Sequence, residues 1–165
     1  MRLLEVEGCW TVLLVKKPYQ ILKTIKPLFL DDLYAEFDKL KSIYELHKFH
    51  DKLASLSFFD PACGCGNFLV IAYRELRKLE HLVLQKIYTN QSGVLDIASI
   101  SKVNVDQFYG VEIGEFAAKI AETALWLMDH IMNMELSAMM GERYSPFRIK
   151  EIAQNFGESA KNKRI

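Results

Sequence analysis

Two acids and two glycines are the residues of this chain whose types and spacing suit them best to chemistry. Asp60-Pro61-Ala62-Cys63-Gly64-Cys65-Gly66 follows the apolar run Ser57-Phe58-Phe59 and precedes an amphipathic stretch. It therefore reads as a tight turn between a buried strand and a helix. Glycines at such a turn let the backbone bend sharply and let a ligand approach with no side chain in the way. A glycine loop at the carboxyl end of a first strand is where doubly wound sheets bind nucleotides. An ordinary surface turn is the plain alternative.

Glu112 closes a second short run, Gln107-Phe108-Tyr109-Gly110-Val111. At such a strand end an acid can accept hydrogen bonds from both hydroxyls of a ribose. It stands further from the glycines than the roughly 20 residues of a dinucleotide fingerprint, a gap that a long helix and the polar stretch before Asp106 absorb. The three-glycine spacing of that fingerprint is also missing. Asp60 at the mouth of the loop would repel a pyrophosphate, whereas a cationic sulfonium ligand carrying an ammonium group would tolerate it. A solvated glutamate at a strand end is the competing reading of Glu112.

Periodicity supplies the elements that must hold these groups. Trp10 to Val15 reads as a short strand. From Tyr19 to about His50 apolar residues recur at three- and four-residue steps, a helical pattern. Pro27 should split it into a short helix and a longer one starting near Asp31, capped by Asp31 or Asp32. Asn67 to about Ile87 reads as a second helix, with Phe68, Ile71, Ala72, Leu76, Leu79 and Val83 on one face and Arg74, Arg77, Lys78 and Glu80 largely off it. Tyr88 to Asp106 is a polar connection with room for one helical turn. Gln107 to Glu112 is a brief strand, and Glu115 to Met134 a helix with Phe116, Ile120, Ala124, Leu127, Met128 and Ile131 on one side. Helices, strand, helix, strand, helix is the start of a parallel, doubly wound α/β sheet.

A length of 165 residues suits one domain, and 50% hydrophobic with 25% charged residues places the chain among globular proteins. Twenty-one basic and 21 acidic residues leave no net charge, which excludes a stand-alone nucleic-acid binder that relies on a basic surface. Three cysteines, two of them one residue apart, make no disulfide framework, and the start of the chain carries Glu5 and Glu7, wrong for a signal peptide. With no run of eighteen apolar residues either, the expectation is a cytoplasmic protein without membrane contact.

Taken whole, Asp60-Pro-Ala-Cys-Gly-Cys-Gly-Asn-Phe-Leu-Val-Ile-Ala-Tyr-Arg-Glu-Leu-Arg77 resembles motif I of the adenine methyltransferase part of type IIG fused restriction-modification proteins. Gln107 to His130 resembles that family's second motif and the helix after it. Ile25 to Leu33 and Phe49 to Leu56 resemble its helical lead-in. The resemblance runs from about Ile21 to Asn133. It implies an incomplete Rossmann-like class I methyltransferase fold, helix-rich and with few parallel strands, that binds S-adenosyl-L-methionine. It also implies that Asp60, Pro61, Ala62, Cys63, Gly64 and Gly66 form the wall around the methionine moiety, that Asn67 and Phe68 open the helix and support the loop, that Glu112 holds the ribose, and that Ile113 lies against the adenine ring. The implied partner is DNA, gripped mostly by parts outside this chain, with no metal expected.

The chain departs from that family in one chemical respect. Methylating the exocyclic amine of adenine requires a flipped base held by acceptors, which the family supplies through an Asn-Pro-Pro-Tyr or Asn-Pro-Pro-Phe segment. No Pro-Pro occurs here, so no catalytic residue is assigned. A Tyr-Thr-Ser-type segment is likewise replaced by Lys16-Lys17-Pro18-Tyr19-Gln20. The expected division is a poorly matching segment 1–20, a partial cofactor-binding domain 21–135 and an atypical or poorly ordered tail 136–165, as in a truncated and catalytically inactive piece of a larger gene.

Other readings are a non-catalytic remnant that binds cofactor or a partner, and a methyltransferase for a non-DNA substrate. His47 and His50 with Cys63 and Cys65 form a zinc-type ligand set on paper, although Cys-x-Cys is tighter than usual. Trp126, Met128, Met132 and Met134 read as core packing ahead of an interaction groove.

Overall fold

The structure, a computed structural model, describes residues 18–88 and 100–140. The expected strand at Trp10 to Val15, most of the polar connection and the end of the chain lie outside them.

The chain enters through α1 (Pro18–Ile25), which runs without a break through a π-helical turn, Lys26–Leu30, into α2 (Asp31–Phe37). Pro27 therefore does not split the helix. It has no N–H to give to the carbonyl of Lys23 and its ring crowds that carbonyl. The helix answers with a wider turn, in which the Asp31 N–H reaches back five residues to Lys26 O. The flanking Leu30 and Ile25 keep helical dihedrals, so neither Asp31 nor Asp32 caps a new helix there.

The real break falls at Asp38 to Ser42, and α3 (Ile43–Ser55) starts afresh. Ser42 Oγ accepts from Glu45 N at 3.2 Å, and the Glu45 carboxylate accepts from the amides of Ser42 and Lys41, both at 3.0 Å. These bonds satisfy donors that every helix start leaves orphaned.

β1 (Phe58–Asp60) and β2 (Phe108–Gly110) pair in parallel, with Phe58 opposite Phe108, Phe59 opposite Tyr109 and Asp60 opposite Gly110. Between them runs α4 (Asn67–Tyr88), and α5 (Glu115–Met140) follows β2. The described residues thus form a helix-rich α/β body on a two-stranded parallel sheet. Side chains alternate between the two faces of a strand. Phe58 and Phe108 stack at 4.7 Å on the inner face, with Phe29 and Tyr73 against them at 4.8 and 5.2 Å. The strand at Phe58 to Asp60 is not fully buried as expected, because Phe59 on the outer face is 63% exposed.

α4 is the central helix and packs against α1, α3 and α5. Its expected apolar face is inside, but Arg77 and Glu80, expected off that face, are 1% and 0% exposed. Glu80 accepts from His50 Nε2 (2.7 Å), Lys102 N (2.7 Å), Val103 N (2.9 Å) and Ser101 Oγ (3.0 Å), and it pairs with Arg77 at 3.2 Å. Arg77 donates to Ser101 Oγ, Val103 O and Asn133 Oδ1. Asn133 donates to Asp129, which also accepts from the Tyr73 hydroxyl at 2.6 Å. These partners offset the cost of burying the charges. They also bind α3, α4, α5 and the segment entering β2 into one unit.

α5 corrects two expectations. It runs to Met140 with Leu136 and Ser137 buried, so residues 136–140 belong to the folded body and not to a loose tail. Its buried positions are Ala121, Leu125, Met132, Asn133, Leu136 and Ser137, whereas Phe116, Leu127, Ile131 and Met134 of its other apolar positions are exposed. The helix is apolar on more than one side, and periodicity pointed to the wrong one. Met132 is in the core with Trp126 and Met128 packed against it; Met134 is not.

Candidate functional site

The corner after β1 is built by backbone geometry that only glycine adopts easily. Gly64 and Gly66 have φ of +55° and +79°, the left-handed region. Asp60 opens the turn by accepting from Ala62 N at 3.0 Å, an Asx turn. Gly66 N closes it onto Cys63 O at 2.8 Å, and Val70 N then reaches Gly66 O at 2.8 Å as α4 begins at Asn67. Gly66 is also a point of close approach, since a Cβ there would lie 2.8 Å from Ala121 Cβ on α5. At Gly64 a Cβ would meet nothing within 4 Å, so the loop opens to free space at that point.

Past β2 the backbone continues the pairing. Val111 N donates to Asp60 O and Cys63 N donates to Val111 O, both at 3.0 Å. This brings Glu112 to the corner, where its two oxygens accept from Gly64 N at 3.0 Å and Gly114 N at 2.8 Å. Gly110 allows the approach, because a Cβ there would sit 2.7 Å from Cys63 Sγ. Burial, with the charges of Asp60 and Glu112 beside it, raises the Cys63 thiol above its ordinary value. The corner is thus a negative field with an open glycine in its wall.

Of the residues singled out from sequence, Asp60, Pro61, Ala62, Cys63, Gly64 and Gly66 form the turn, and Glu112 is hydrogen-bonded to it. Asn67 and Phe68 open α4, with Phe68 packed on the core. Ile113 follows Glu112 with its side chain fully exposed. Sequence reasoning passed over Gly110 and Gly114, whose signal was their position two residues either side of the acid.

The zinc-type set does not assemble. His50 is bonded to Glu80 inside the core while His47 is exposed, and no group of three or more metal-ligating side chains converges among the described residues.

Residues 36–159 match the family described as MmeI, DNA-methyltransferase domain. The match extends past Asn133, into the part where the sequence shows little visible family pattern. DNA methyltransferase A of Bacillus subtilis is 41% identical over 117 residues, covering 70% of this chain and 13% of that protein. A putative type II restriction enzyme and methyltransferase of Methanocaldococcus jannaschii is 30% identical over 117 residues, covering 67% of this chain and 9% of that protein. Among solved structures, one described as the type IIL restriction-modification enzyme MmeI in complex with DNA superposes with a TM-score of 0.74 at 55% identity, over 78% of this chain and 17% of that one. The chain spans about an eighth of the first curated relative's length. With three quarters of its length inside the family match, the chain belongs to the MmeI DNA-methyltransferase domain family, a methyltransferase region of restriction-modification proteins.

Proposed function

We propose that this chain is the S-adenosyl-L-methionine-binding portion of a site-specific DNA adenine methyltransferase from a restriction-modification system, built on the first part of a Rossmann-like class I sheet and working in the cytoplasm. The observation that carries this reading is the hydrogen bond from Gly64 N to Glu112. It joins the glycine corner of one strand to the acid of the next, as a single nucleoside site requires.

The residues fit such a cofactor. A carboxylate has about four lone-pair positions. Glu112 spends two on Gly64 and Gly114, which leaves acceptors for the ribose hydroxyls. The open face of Gly64 gives the methionine part room. Asp60 and Glu112 supply a field that favours a ligand with a sulfonium and an ammonium. Ile113, fully exposed, offers an apolar surface to the adenine ring. When bound, the cofactor supplies the methyl group. These residues bind and orient it.

DNA enters as the substrate by analogy with relatives named as DNA methyltransferases and with MmeI described in complex with DNA. The base-holding Asn-Pro-Pro-Tyr or Asn-Pro-Pro-Phe segment is not among these 165 residues, so methyl transfer by this chain alone is not expected.

The test is calorimetric titration with S-adenosyl-L-methionine on the chain and on Glu112→Ala. Binding by the first and at least about tenfold weaker binding by the second is expected from the loss of charge-assisted hydrogen bonds. Equal binding by both removes Glu112 from the site, and no binding by the unaltered chain overturns the reading.

A further inference from the structure

The glycine corner meets α5 at Ala121. A Cβ on Gly66 would lie 2.8 Å from Ala121 Cβ and 3.0 Å from Ala121 Cα, so the backbone of the turn rests directly on that helix. Ala121 is buried there. Gly66 stands two residues after Gly64, whose amide holds one oxygen of Glu112 at 3.0 Å. The other oxygen holds Gly114 N at 2.8 Å, and Gly114 O accepts from Ala118 N at 3.0 Å as α5 begins. These contacts close a ring that runs from Glu112 through Gly64, Gly66 and Ala121 and returns along α5 and Gly114 to Glu112. Further along, Arg77 and Tyr73 of α4 hold Asn133 and Asp129 of α5, each at 2.6 Å. The helix is therefore pinned and cannot slide away from the corner to relieve crowding.

We propose that Ala121 is a positioning residue for the cofactor. Its methyl group acts through Gly66 and sets the separation of Gly64 from Glu112, and with it the placement of the carboxylate that meets the ribose. The inference rests on the cofactor reading for its ligand, while the ring itself is a property of the protein alone. What matters at position 121 is size. The partner across the contact is the backbone of a tight turn, not the end of a flexible side chain. In a close-packed interior a displacement at such a contact is transmitted to what lies behind it. A larger side chain at 121 pushes the turn outward, stretches the bond from Gly64 to Glu112 and leaves the carboxylate held from one side.

The experiment compares the full chain with Ala121→Ser, Ala121→Val and Leu136→Ala. Leu136 is fully buried on the same helix, roughly 20 Å beyond Ala121 at the rise of an α-helix, so its truncation destabilises the fold without reaching the corner. Two readouts are taken: calorimetric titration with S-adenosyl-L-methionine, and the amide resonance of Gly64 in protein labelled with 15N-glycine, recorded without cofactor and assigned by its loss in Gly64→Ala. Ala121→Val should move the Gly64 resonance and weaken cofactor binding at least about tenfold, as for a site whose supporting contacts are displaced. Ala121→Ser, a single atom larger, should move both in the same direction by less. Leu136→Ala should lower the urea midpoint yet leave the Gly64 resonance in place and the affinity within about twofold. An unmoved Gly64 resonance in the alanine-121 variants, or equal effects of Ala121→Val and Leu136→Ala on both readouts, would overturn the proposal. If Ala121→Val does not fold, Ala121→Ser decides by the same two readouts. Absence of binding by the unaltered chain would remove the cofactor reading, and the Gly64 resonance would still support or overturn the brace at Ala121.

Discussion

Gly64 donates its amide to Glu112 at 3.0 Å across 48 positions of sequence. Because the second Glu112 oxygen accepts from Gly114 at 2.8 Å, the carboxylate is held from both sides before any ligand arrives. Preorganisation of this kind lowers the ordering cost of binding.

Glu112→Gln keeps the shape of the side chain and removes its charge. The amide has one acceptor oxygen, so it cannot serve Gly64 and Gly114 as the carboxylate does. Binding of S-adenosyl-L-methionine should weaken about ten- to a hundredfold, the loss expected for charge-assisted bonds. Calorimetry reads this directly, and a dissociation constant within twofold of the unaltered chain would contradict it.

The two glycines of the corner should respond differently to alanine. Gly64→Ala meets no neighbour and carries only the left-handed backbone penalty, about 1–2 kcal/mol. Gly66→Ala adds a Cβ 2.8 Å from that of Ala121, and overpacking contributes roughly a further 1–3 kcal/mol. Urea melts should rank Gly66→Ala as the worse, and Ala121→Gly should recover part of its loss. An equal loss at both positions would mean that the packing of the corner on α5 is unimportant.

Acid should destabilise the fold before the surface carboxylates titrate. Burial depresses His81 from 6.5 to about 4, so the folded state disfavours its charged form. Its contribution is whole above pH 6.5, shrinks as pH falls and is gone below about 4, a change of up to about 3 kcal/mol. Desolvation pushes Glu80 up, but the His50 hydrogen bond, the Arg77 charge and the Val103 amide outweigh it, and its net shift is downward. Its contribution is whole above the usual carboxylate range, shrinks as pH falls through that range and is gone below its own lowered value. Stability measured by denaturant between pH 7 and 4 should therefore fall, and His81→Leu should flatten the decline. A decline of unchanged slope in that variant would remove His81 as the cause.

Removing one partner from the buried charge cluster should cost far more than any surface pair. Glu80→Ala leaves Arg77 buried without its carboxylate and frees the amides of Lys102 and Val103. A loss of about 3–5 kcal/mol follows. Lys119→Ala, which breaks an exposed pair with Glu122, should change stability by less than about 1 kcal/mol. Denaturation of the two variants side by side decides the point.

The glycine corner and Glu112 were readable because a turn at a strand end needs residue types that few other structures need. The bounds of α4 were readable too, since its apolar positions repeat over six turns between a glycine loop and a polar stretch. The burial of Arg77 and Glu80 was not, because a charged residue reads as solvated until the partners that satisfy it are known. Those partners, His50, Ser101 and Asn133, come from three other segments. The face of α5 was misread for a related reason. Apolar residues lie on more than one side of that helix, and which side goes in depends on where α4 stands. The break at Asp38 to Ser42 was hidden behind Pro27, the louder local signal.

The wide turn at Lys26–Leu30 sets a phase. Ile25 and Leu30, five positions apart, are both buried, and Leu33 and Phe37 continue the stripe at ordinary spacing. One surplus residue has been absorbed there without twisting either half of the helix out of the core. Deleting a single residue from that turn would let it relax to regular winding with the two inward stripes still aligned, so this is the place in the lead-in where the chain can change length by one at least cost.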